Sequence, residues 1–274
     1  MTNDSTGGPR ALTIAGSDSG GGAGIQADLK TFAAFGVYGT SAITALTAQN
    51  TLGVSAIHVV PAEFVTAQIE AVVSDIGCDA VKTGMLATSA IVEAVVAAVE
   101  ALDLPNLVVD PVMVAKSGDH LLDADAVHAV RASLLKVARV VTPNIPEAEA
   151  LAGMSIHSRG DMREAARRIA ALGPGAVLVK GGHLPGGEVV DLVYVEGVFH
   201  ELAGPRVEGR HTHGTGCALA AALAAGLARG EDLVASAKAA KAYVAGAMRH
   251  GVNVGHGHQP LDHFWRFPAS AILD

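Results

Sequence analysis

The chain has 274 residues, of which 50% are hydrophobic and only 4% aromatic, and its formal net charge is −8. This length and apolar content suit one large α/β domain with a sizeable core. The negative charge, without a cluster of lysine and arginine, excludes nucleic acid and anionic membranes as expected partners and favours a small-molecule ligand.

The two cysteines, Cys78 and Cys217, are too few for a disulfide framework and fit a reducing compartment. Residues 1–9 lack the basic start and apolar stretch of a signal peptide, and no segment is apolar enough to span a membrane. These features predict a cytoplasmic protein. We predict a flexible N-terminus over residues 1–10, a single domain over 11–267 and a peripheral tail over 268–274.

Apolar runs of strand length alternate with segments of helical periodicity along the chain. Strands are predicted at residues 11–15, 40–46, 56–60, 80–83, 107–109, 140–142, 176–179, 189–195 and 198–202, the last two as a hairpin. Helices are predicted at 24–35, 62–74, 89–102, 124–135, 146–151, 161–172, 215–228 and 233–249. This alternation predicts an α/β fold with a mainly parallel sheet, helices on both faces, and ligands beyond the carboxyl ends of the strands.

A glycine-rich loop at residues 16–24 follows the first predicted strand and leads into the first helix. Its glycines predict close approach of a ligand, although a surface turn is the alternative. Gly22, Gly24 and Ala27 fit a relaxed dinucleotide fingerprint, but they come late in the loop and no acidic residue ends a second strand, so we reject an NAD site. A Walker-type phosphate loop is absent because Gly-Lys-Ser and Gly-Lys-Thr do not occur.

Asp28 in the first predicted helix and Gln49 after the second strand are candidates for contact with a heterocycle. Each offers adjacent hydrogen-bonding atoms that can pair with an amidine-like edge. From these residues alone, a surface position bonded to neighbouring groups is the favoured interpretation.

Polar side chains also follow two later strands. Asp110 ends one strand, and Asn144 and Glu147 follow the next, one helical turn apart. Such oxygen atoms suit Mg²⁺, which takes one or two protein carboxylates together with substrate phosphates. Asn144 and Glu147 fit a capping box for the helix begun by Pro146 equally well, and both roles can hold at once.

Two lysines and four histidines remain as candidates. Lys180 follows a strand and precedes two glycines, a place suited to triphosphate charge. Lys241 lies in an alanine-rich helix and is by itself a solvated or snorkelling lysine. The histidines near the C-terminus lack the spacing of a zinc site; they are His250, His256, His258 and His263.

The segment Gly214-Thr215-Gly216-Cys217 opens a predicted helix. The glycines let the backbone turn with its N–H groups facing outward, and the helix N-terminus adds partial positive charge, so we expect phosphate to dock here. Cys217 in the first turn is a candidate proton acceptor. A capped helix with a buried cysteine is the alternative.

Taken together in this order, seven motifs closely resemble the bacterial hydroxymethylpyrimidine/phosphomethylpyrimidine kinases of thiamine biosynthesis, members of the ribokinase-like superfamily. They lie at residues 16–28, 48–50, 82–86, 110–113, 143–148, 180–183 and 213–217. The resemblance runs from about residue 11 to residue 263. It implies ATP-dependent phosphorylation of 4-amino-5-hydroxymethyl-2-methylpyrimidine to its monophosphate and then to the diphosphate, by a homodimer.

The resemblance also implies residue roles. Asp28 and Gln49 would read the aminopyrimidine edge. Backbone amides of Gly214, Thr215, Gly216 and Cys217 would hold the transferred phosphoryl group. The pocket around the ring would be lined by Gly16, Ala23, Met85 and Val112, Mg²⁺ would lie near Asp110, Asn144 and Glu147, and ATP would contact Lys180, Thr215 and Lys241.

Cys217 stands where most sugar kinases of this superfamily carry an aspartate as base. An unperturbed thiol has a pKa of about 8.5 and the helix N-terminus favours its thiolate, so we predict that Cys217 accepts the hydroxyl proton near neutral pH. Two alternatives stay open: a pyridoxal or pyridoxine kinase of the same superfamily, and a pyrimidine-binding domain without catalysis. Gln49 and Asp28 favour the aminopyrimidine.

Overall fold

The computed structural model describes residues 7–113 and 124–267. Its centre is a nine-stranded sheet in the spatial order β3-β2-β1-β4-β5-β6-β7-β8-β9. The strands are β1 (Arg10–Asp18), β2 (Tyr38–Asn50), β3 (Gly53–Val59), β4 (Ala80–Thr83), β5 (Leu107–Val109), β6 (Val140–Val141), β7 (Ala176–Val179), β8 (Glu188–Val195) and β9 (Val198–Pro205).

Six adjacent strands, from β2 through β1 and β4 to β7, run parallel, while β3, β8 and β9 are antiparallel to their neighbours. The register pairs Ile14 with Thr83, Thr83 with Val109, and Val109 with Val141. Because these strand ends are level, the residues that follow β4, β5 and β6 meet at one edge of the sheet.

Helices cover both faces of the sheet. They are α1 (Gly24–Ala34), α2 (Ala62–Asp75), α3 (Ser89–Ala101), α4 (Ala124–Ala129), α5 (Leu135–Val137), α6 (Ile145–Ala152), α7 (Arg159–Ala170), α8 (Thr215–Ala228) and α9 (Leu233–Arg249). One apolar core lies under α2, α3, α6 and α7, and a second lies under α1, α8 and α9. The central strands are therefore buried on both faces, which explains why β5 is a continuous apolar run.

Helix α8 shows how composition permits this packing. Its residues from Ala218 to Leu227 are all buried, and most are alanine. A helix that is apolar all round belongs in a core, and small side chains let neighbouring elements approach closely. A Cβ on Gly226 would lie within 3 Å of Ser236 on α9, so these two helices touch at that point.

The predicted alternation of strands and helices, and the mainly parallel sheet with helices on both faces, are confirmed. The predicted helix at 124–135 is interrupted by a π-helical turn, Val130–Leu134. A short parallel pair, β10 (His211–His213) with β11 (Gln259–Pro260), was not predicted, because these polar residues form no apolar run of strand length. Residues 1–6 and 268–274, in the predicted N-terminus and tail, lie outside the described residues, and the single domain at 11–267 stays a prediction.

Among the described helices, none is long and apolar enough to cross a membrane.

Candidate active site

A cavity of about 1540 Å³ lies at the carboxyl ends of the parallel strands. Pockets for one small molecule are typically about 300–1000 Å³, so this cavity has room for two ligands side by side. With the exception of Asp28, the residues predicted to form the site all line it. They are Gly16, Ala23, Gln49, Met85, Asp110, Val112, Asn144, Glu147, Lys180, Gly214, Thr215, Gly216, Cys217 and Lys241.

The first turn of α8 forms one wall of the cavity. Gly214, its N-cap, has a left-handed backbone with φ of 82°. A Cβ at this position would collide with the carbonyl oxygen of Gly22, so the turn and the glycine-rich loop pack backbone against backbone. The helical hydrogen bonds begin with Ala218 N donating to Gly214 O at 2.9 Å. The N–H groups of residues 215–217 precede that bond at the positive end of the helix, an arrangement that binds anions.

An ion-pair cluster faces this turn. Lys180 Nζ lies 3.2 Å from Asp110 Oδ1 and 3.9 Å from Glu147 Oε2. A Cβ on Gly216 would lie 3.4 Å from Lys180 Nζ, which places the ammonium group next to the start of α8. Burial opposes the charge on Lys180, but Asp110 and Glu147 outweigh it and raise the pKa of the lysine. The cavity therefore holds a fixed positive charge beside the anion site.

Glu147 carries a perturbed carboxyl group. Burial raises the pKa of Glu147 to about 7; Lys180 opposes the rise and Asp110 adds to it. Its Oε2 accepts a hydrogen bond from Asn144 N at 2.8 Å, and Asn144 Oδ1 accepts one from Glu147 N at 2.9 Å. The capping box is thus confirmed as a role of this pair.

The same carboxylates fit a divalent cation. Two buried acids, Asp110 and Glu147, lie close enough for their charges to interact, and a cation between them would offset the cost of burying the ionised form of Glu147. No group of three His, Cys, Asp or Glu residues able to hold a metal occurs within 7–113 and 124–267. The two carboxylates of Asp110 and Glu147 suit Mg²⁺ better than zinc, because Mg²⁺ completes its coordination shell with waters and phosphates.

Cys217 is partly buried at the first turn of α8. Burial raises the pKa of Cys217 to about 11; Lys82 opposes this rise, while Asp28 and Asp110 add to it. The prediction that the helix N-terminus favours the thiolate near neutral pH is therefore wrong for the unliganded protein. Desolvation of the sulfur disfavours the charged thiolate.

Asp28 does not line the cavity. It is fully buried, and its Oδ2 accepts hydrogen bonds from Thr13 Oγ1 and from Lys82 Nζ, both at 2.7 Å. Asp28 follows Gly24 by one helical turn on the face of α1 that packs against the sheet. A contact between Asp28 and the ring stays a prediction that this position does not support, whereas Gln49 lines the cavity, with Oε1 accepting a hydrogen bond from Thr47 Oγ1 at 3.1 Å.

Asp18 is a cavity residue that sequence reasoning missed. Its carboxylate accepts hydrogen bonds from Gly20 N and Ala23 N, each at 2.8 Å, and lies 2.9 Å from His213 Nε2. It therefore ties the glycine-rich loop to the segment before α8. An aspartate at the start of a glycine-rich turn is a recognisable signal for such backbone bonds.

Asp191 on β8 was also missed. Its Oδ2 accepts a hydrogen bond from Lys241 Nζ at 2.8 Å, and its Oδ1 accepts one from Gly181 N at 2.9 Å. Asp191 thus fixes both Lys241 and the turn that follows Lys180. An aspartate in a predicted hairpin strand gives no sequence signal for this role.

Comparisons with known proteins agree with this geometry. A family model described as phosphomethylpyrimidine kinase matches residues 18–262. A hydroxymethylpyrimidine/phosphomethylpyrimidine kinase of Streptomyces coelicolor is 51% identical over 257 residues, which is 94% of this chain and 95% of that protein. A thiamine biosynthesis bifunctional protein of Geobacter sulfurreducens is 51% identical over 252 residues; these are 92% of this chain but 51% of that protein, so the chain spans about half of it.

The fold is similar to that of solved pyridoxal kinases. The pyridoxal kinase from Staphylococcus aureus, in complex with AMP-PCP and pyridoxal, superposes with a TM-score of 0.88 at 37% identity, over 95% of each chain. This similarity confirms the predicted α/β kinase fold, and the bound ATP analogue in that structure supports the use of ATP.

Proposed function

Because the chain belongs to the phosphomethylpyrimidine kinase family, we propose that it phosphorylates 4-amino-5-hydroxymethyl-2-methylpyrimidine with ATP and then phosphorylates the monophosphate, in thiamine biosynthesis. The observation that carries this proposal is a single cavity. In it the amides of residues 215–217, the Lys180–Asp110–Glu147 cluster and the thiol of Cys217 face the same space.

Positioning and charge stabilisation supply most of the catalysis in phosphoryl transfer. The amides from Gly214 to Cys217 hold the oxygens of the transferred phosphoryl group, and Lys180 places the ATP phosphates. Thr215 and Lys241, which line the same cavity, contact the nucleotide. Mg²⁺, held by Asp110 and Glu147 with Asn144 nearby, would neutralise part of the phosphate charge.

Cys217 acts in the first step only. The base is the thiolate of Cys217, formed when the thiol releases its own proton to solvent. As the hydroxyl oxygen bonds to the γ-phosphorus and the bond to ADP breaks, the hydroxyl proton passes to this thiolate. With a pKa of about 11, only about one thiol in a thousand is ionised at pH 8, so the free protein holds this base almost entirely protonated. In the second step the nucleophile is an ionised phosphate oxygen, which needs no base.

The ring pocket is formed by Gly16, Ala23, Met85 and Val112, and Gln49 pairs with the ring edge. The second candidate is a pyridoxal kinase, supported by the similarity to the Staphylococcus aureus enzyme. Phosphorus NMR of a reaction with ATP, Mg²⁺ and the hydroxymethylpyrimidine should show the monophosphate and then the diphosphate. Faster ADP release with pyridoxal, or accumulation of neither product, would contradict the proposal.

A homodimer in the cytoplasm completes the proposal. Apolar side chains stand exposed on β2, β3 and α2, among them Leu46, Ile57 and Phe64, and a second copy of the chain would cover them. Light scattering during gel filtration should give twice the chain mass. A monomer at micromolar concentration would contradict this part.

A further inference from the structure

The proposed chemistry assigns no role to the turn between β7 and β8, residues 181–186. This 181–186 turn follows Lys180 directly and begins as a single turn of 3-10 helix, Gly181–His183. Gly182 and His183 line the cavity. Three of its residues are glycine, and glycine loses more conformational freedom on folding than any other residue. The turn therefore needs contacts that hold it in one conformation.

Arg206, which follows β9, binds three carbonyl groups of this turn. Its Nε donates to Gly186 O at 2.7 Å, and its Nη1 donates to Gly182 O at 2.9 Å. Its Nη2 donates to Leu184 O. A guanidinium group carries five N–H donors in a rigid planar fork. One side chain therefore spans three carbonyls at alternate positions along the turn.

The first residue of the turn is held by different contacts. Gly181 N donates to Asp191 Oδ1 at 2.9 Å, and a Cβ on Gly181 would collide with the carbonyl oxygen of Val190. Both partners lie on β8. Strand β8 therefore fixes the start of the turn, whereas Arg206 holds the three carbonyls beyond it.

These contacts leave the charge of Arg206 in place. Lys180 binds Asp110 and Lys241 binds Asp191, so each of these two ammonium groups faces a carboxylate. The partners of Arg206 in the turn are neutral carbonyls, and Arg206 itself lines the cavity. A charged donor also makes a hydrogen bond roughly twice as strong as a neutral one. Arg206 thus fixes the turn and adds positive charge beside it.

Gly182 is the residue of the turn that indicates a ligand. No atom of the described residues, its chain neighbours aside, lies within 4 Å of a Cβ built on Gly182, and its φ lies outside the left-handed range. Neither packing nor backbone conformation therefore requires glycine at this position. Glycine also occurs where the backbone approaches a ligand closely, and Gly182 faces the cavity.

We propose that Arg206 is a positioning residue for ATP, which holds the 181–186 turn as one wall of the nucleotide subsite with the backbone of Gly182 against the nucleotide. This inference rests on the proposed function, in which Lys180 places the ATP phosphates. Arg206 takes no part in bond making or breaking. The pyrimidine pocket at Gly16 and Met85 lies at β1 and β4, which β5 and β6 separate from β7. Loss of Arg206 should therefore weaken nucleotide binding and leave pyrimidine binding intact.

The test is calorimetric titration with AMP-PCP and Mg²⁺ and, separately, with the hydroxymethylpyrimidine. The variants are Arg206→Lys, Arg206→Gln and Gly182→Ala. Arg159→Gln is the control for the arginine, because Arg159 Nη2 binds the side chain of Glu188 at 2.8 Å just beyond the turn. Gly187→Ala is the control for the glycine, because a Cβ on Gly187 also meets open space but Gly187 does not line the cavity.

Both Arg206 variants should raise the Kd for AMP-PCP at least about tenfold, which is about 1.4 kcal/mol of binding free energy. Lysine keeps the charge, but its ammonium is a point charge that cannot span three carbonyls. Gly182→Ala should raise the same Kd without lowering Tm, since the new Cβ meets no described atom beyond its chain neighbours. The Kd for the pyrimidine, and both controls, should match the parent. During turnover, Arg206→Lys should raise KM for ATP and leave KM for the pyrimidine unchanged.

Parent affinity for AMP-PCP in Arg206→Lys would show that charge alone suffices and would overturn the proposal. Equal losses for AMP-PCP and the pyrimidine would indicate a general structural defect and would overturn it as well. Parent affinity in Gly182→Ala would remove Gly182 from the nucleotide subsite. A parent protein that binds AMP-PCP but does not phosphorylate the pyrimidine would refute the proposed function and leave the role of Arg206 standing. A parent that does not bind AMP-PCP would overturn both.

Discussion

The Gly214→Ala variant tests whether the first turn of α8 must lie directly against the glycine-rich loop. Gly214 has φ of 82°, and an alanine in this left-handed conformation costs about 1–2 kcal/mol. For a domain of this size each kcal/mol lowers Tm by roughly 2–4 °C. In addition, the new Cβ would collide with the carbonyl oxygen of Gly22, so one of the two loops has to move by about 1 Å.

That movement would displace the amides proposed to hold the transferred phosphoryl group. A misplacement of about 1 Å at a reacting centre lowers the rate about 100-fold, which corresponds to about 2.7 kcal/mol of activation free energy. We expect kcat for the hydroxymethylpyrimidine to fall by this factor. The assay is ADP release at saturating ATP and pyrimidine, together with thermal unfolding.

Gly230→Ala is the matched control. Gly230, just beyond the end of the same helix, has φ of 78°, but nothing lies within 4 Å of a Cβ built there. Both variants therefore carry a similar backbone cost, to which the collision adds a further loss of stability only in Gly214→Ala, and Gly230→Ala keeps kcat within about twofold. If Gly214→Ala loses no more activity than Gly230→Ala, backbone contact between the two loops does not position the catalytic amides.

Three further predictions concern titratable groups. Cys217→Ser should slow phosphorylation of the alcohol much more than that of the monophosphate; equal losses in the two assays would argue against a general base. Burial raises the pKa of Glu147 from 4.5 to about 7, so between these pH values the native state keeps a proton that the unfolded state releases. The free energy of unfolding therefore falls as pH rises from 4.5 to 7, by on the order of 3 kcal/mol. In urea unfolding without Mg²⁺, the free energy of unfolding of Glu147→Gln should rise relative to that of the parent between pH 5 and 7.5. A difference between the two proteins that does not change with pH would contradict the raised pKa. Burial lowers the pKa of His263 from 6.5 to about 4, so its contribution to stability is lost as pH falls through that range; His263→Asn should flatten the acid limb of the unfolding curve, and an unchanged limb would show that His263 is not buried as a neutral ring.

Secondary structure followed from the sequence wherever local periodicity was strong. The runs that became β4, β5, β7, α8 and α9 have the predicted bounds, because a continuous apolar strand or an alanine-rich helix records its burial in its own residues. Much of the site followed for a related reason. Asp110 and Lys180 come directly after parallel strands and Asn144 follows three residues after another, and the ends of such strands share one edge of the sheet.

The sequence by itself determined which helices and strands form and that the polar residues gather at the carboxyl ends of the parallel strands. Only the tertiary structure decided how those residues are charged and which way they face. Asp28 turns to Lys82, 54 residues away, and Asp18 meets His213 across 195 residues. The pKa of Cys217 is set by burial and by charges on β4 and α1, in chain segments distant from α8. Periodicity is a property of neighbouring residues, whereas desolvation and ion pairing depend on which distant segments come together in space.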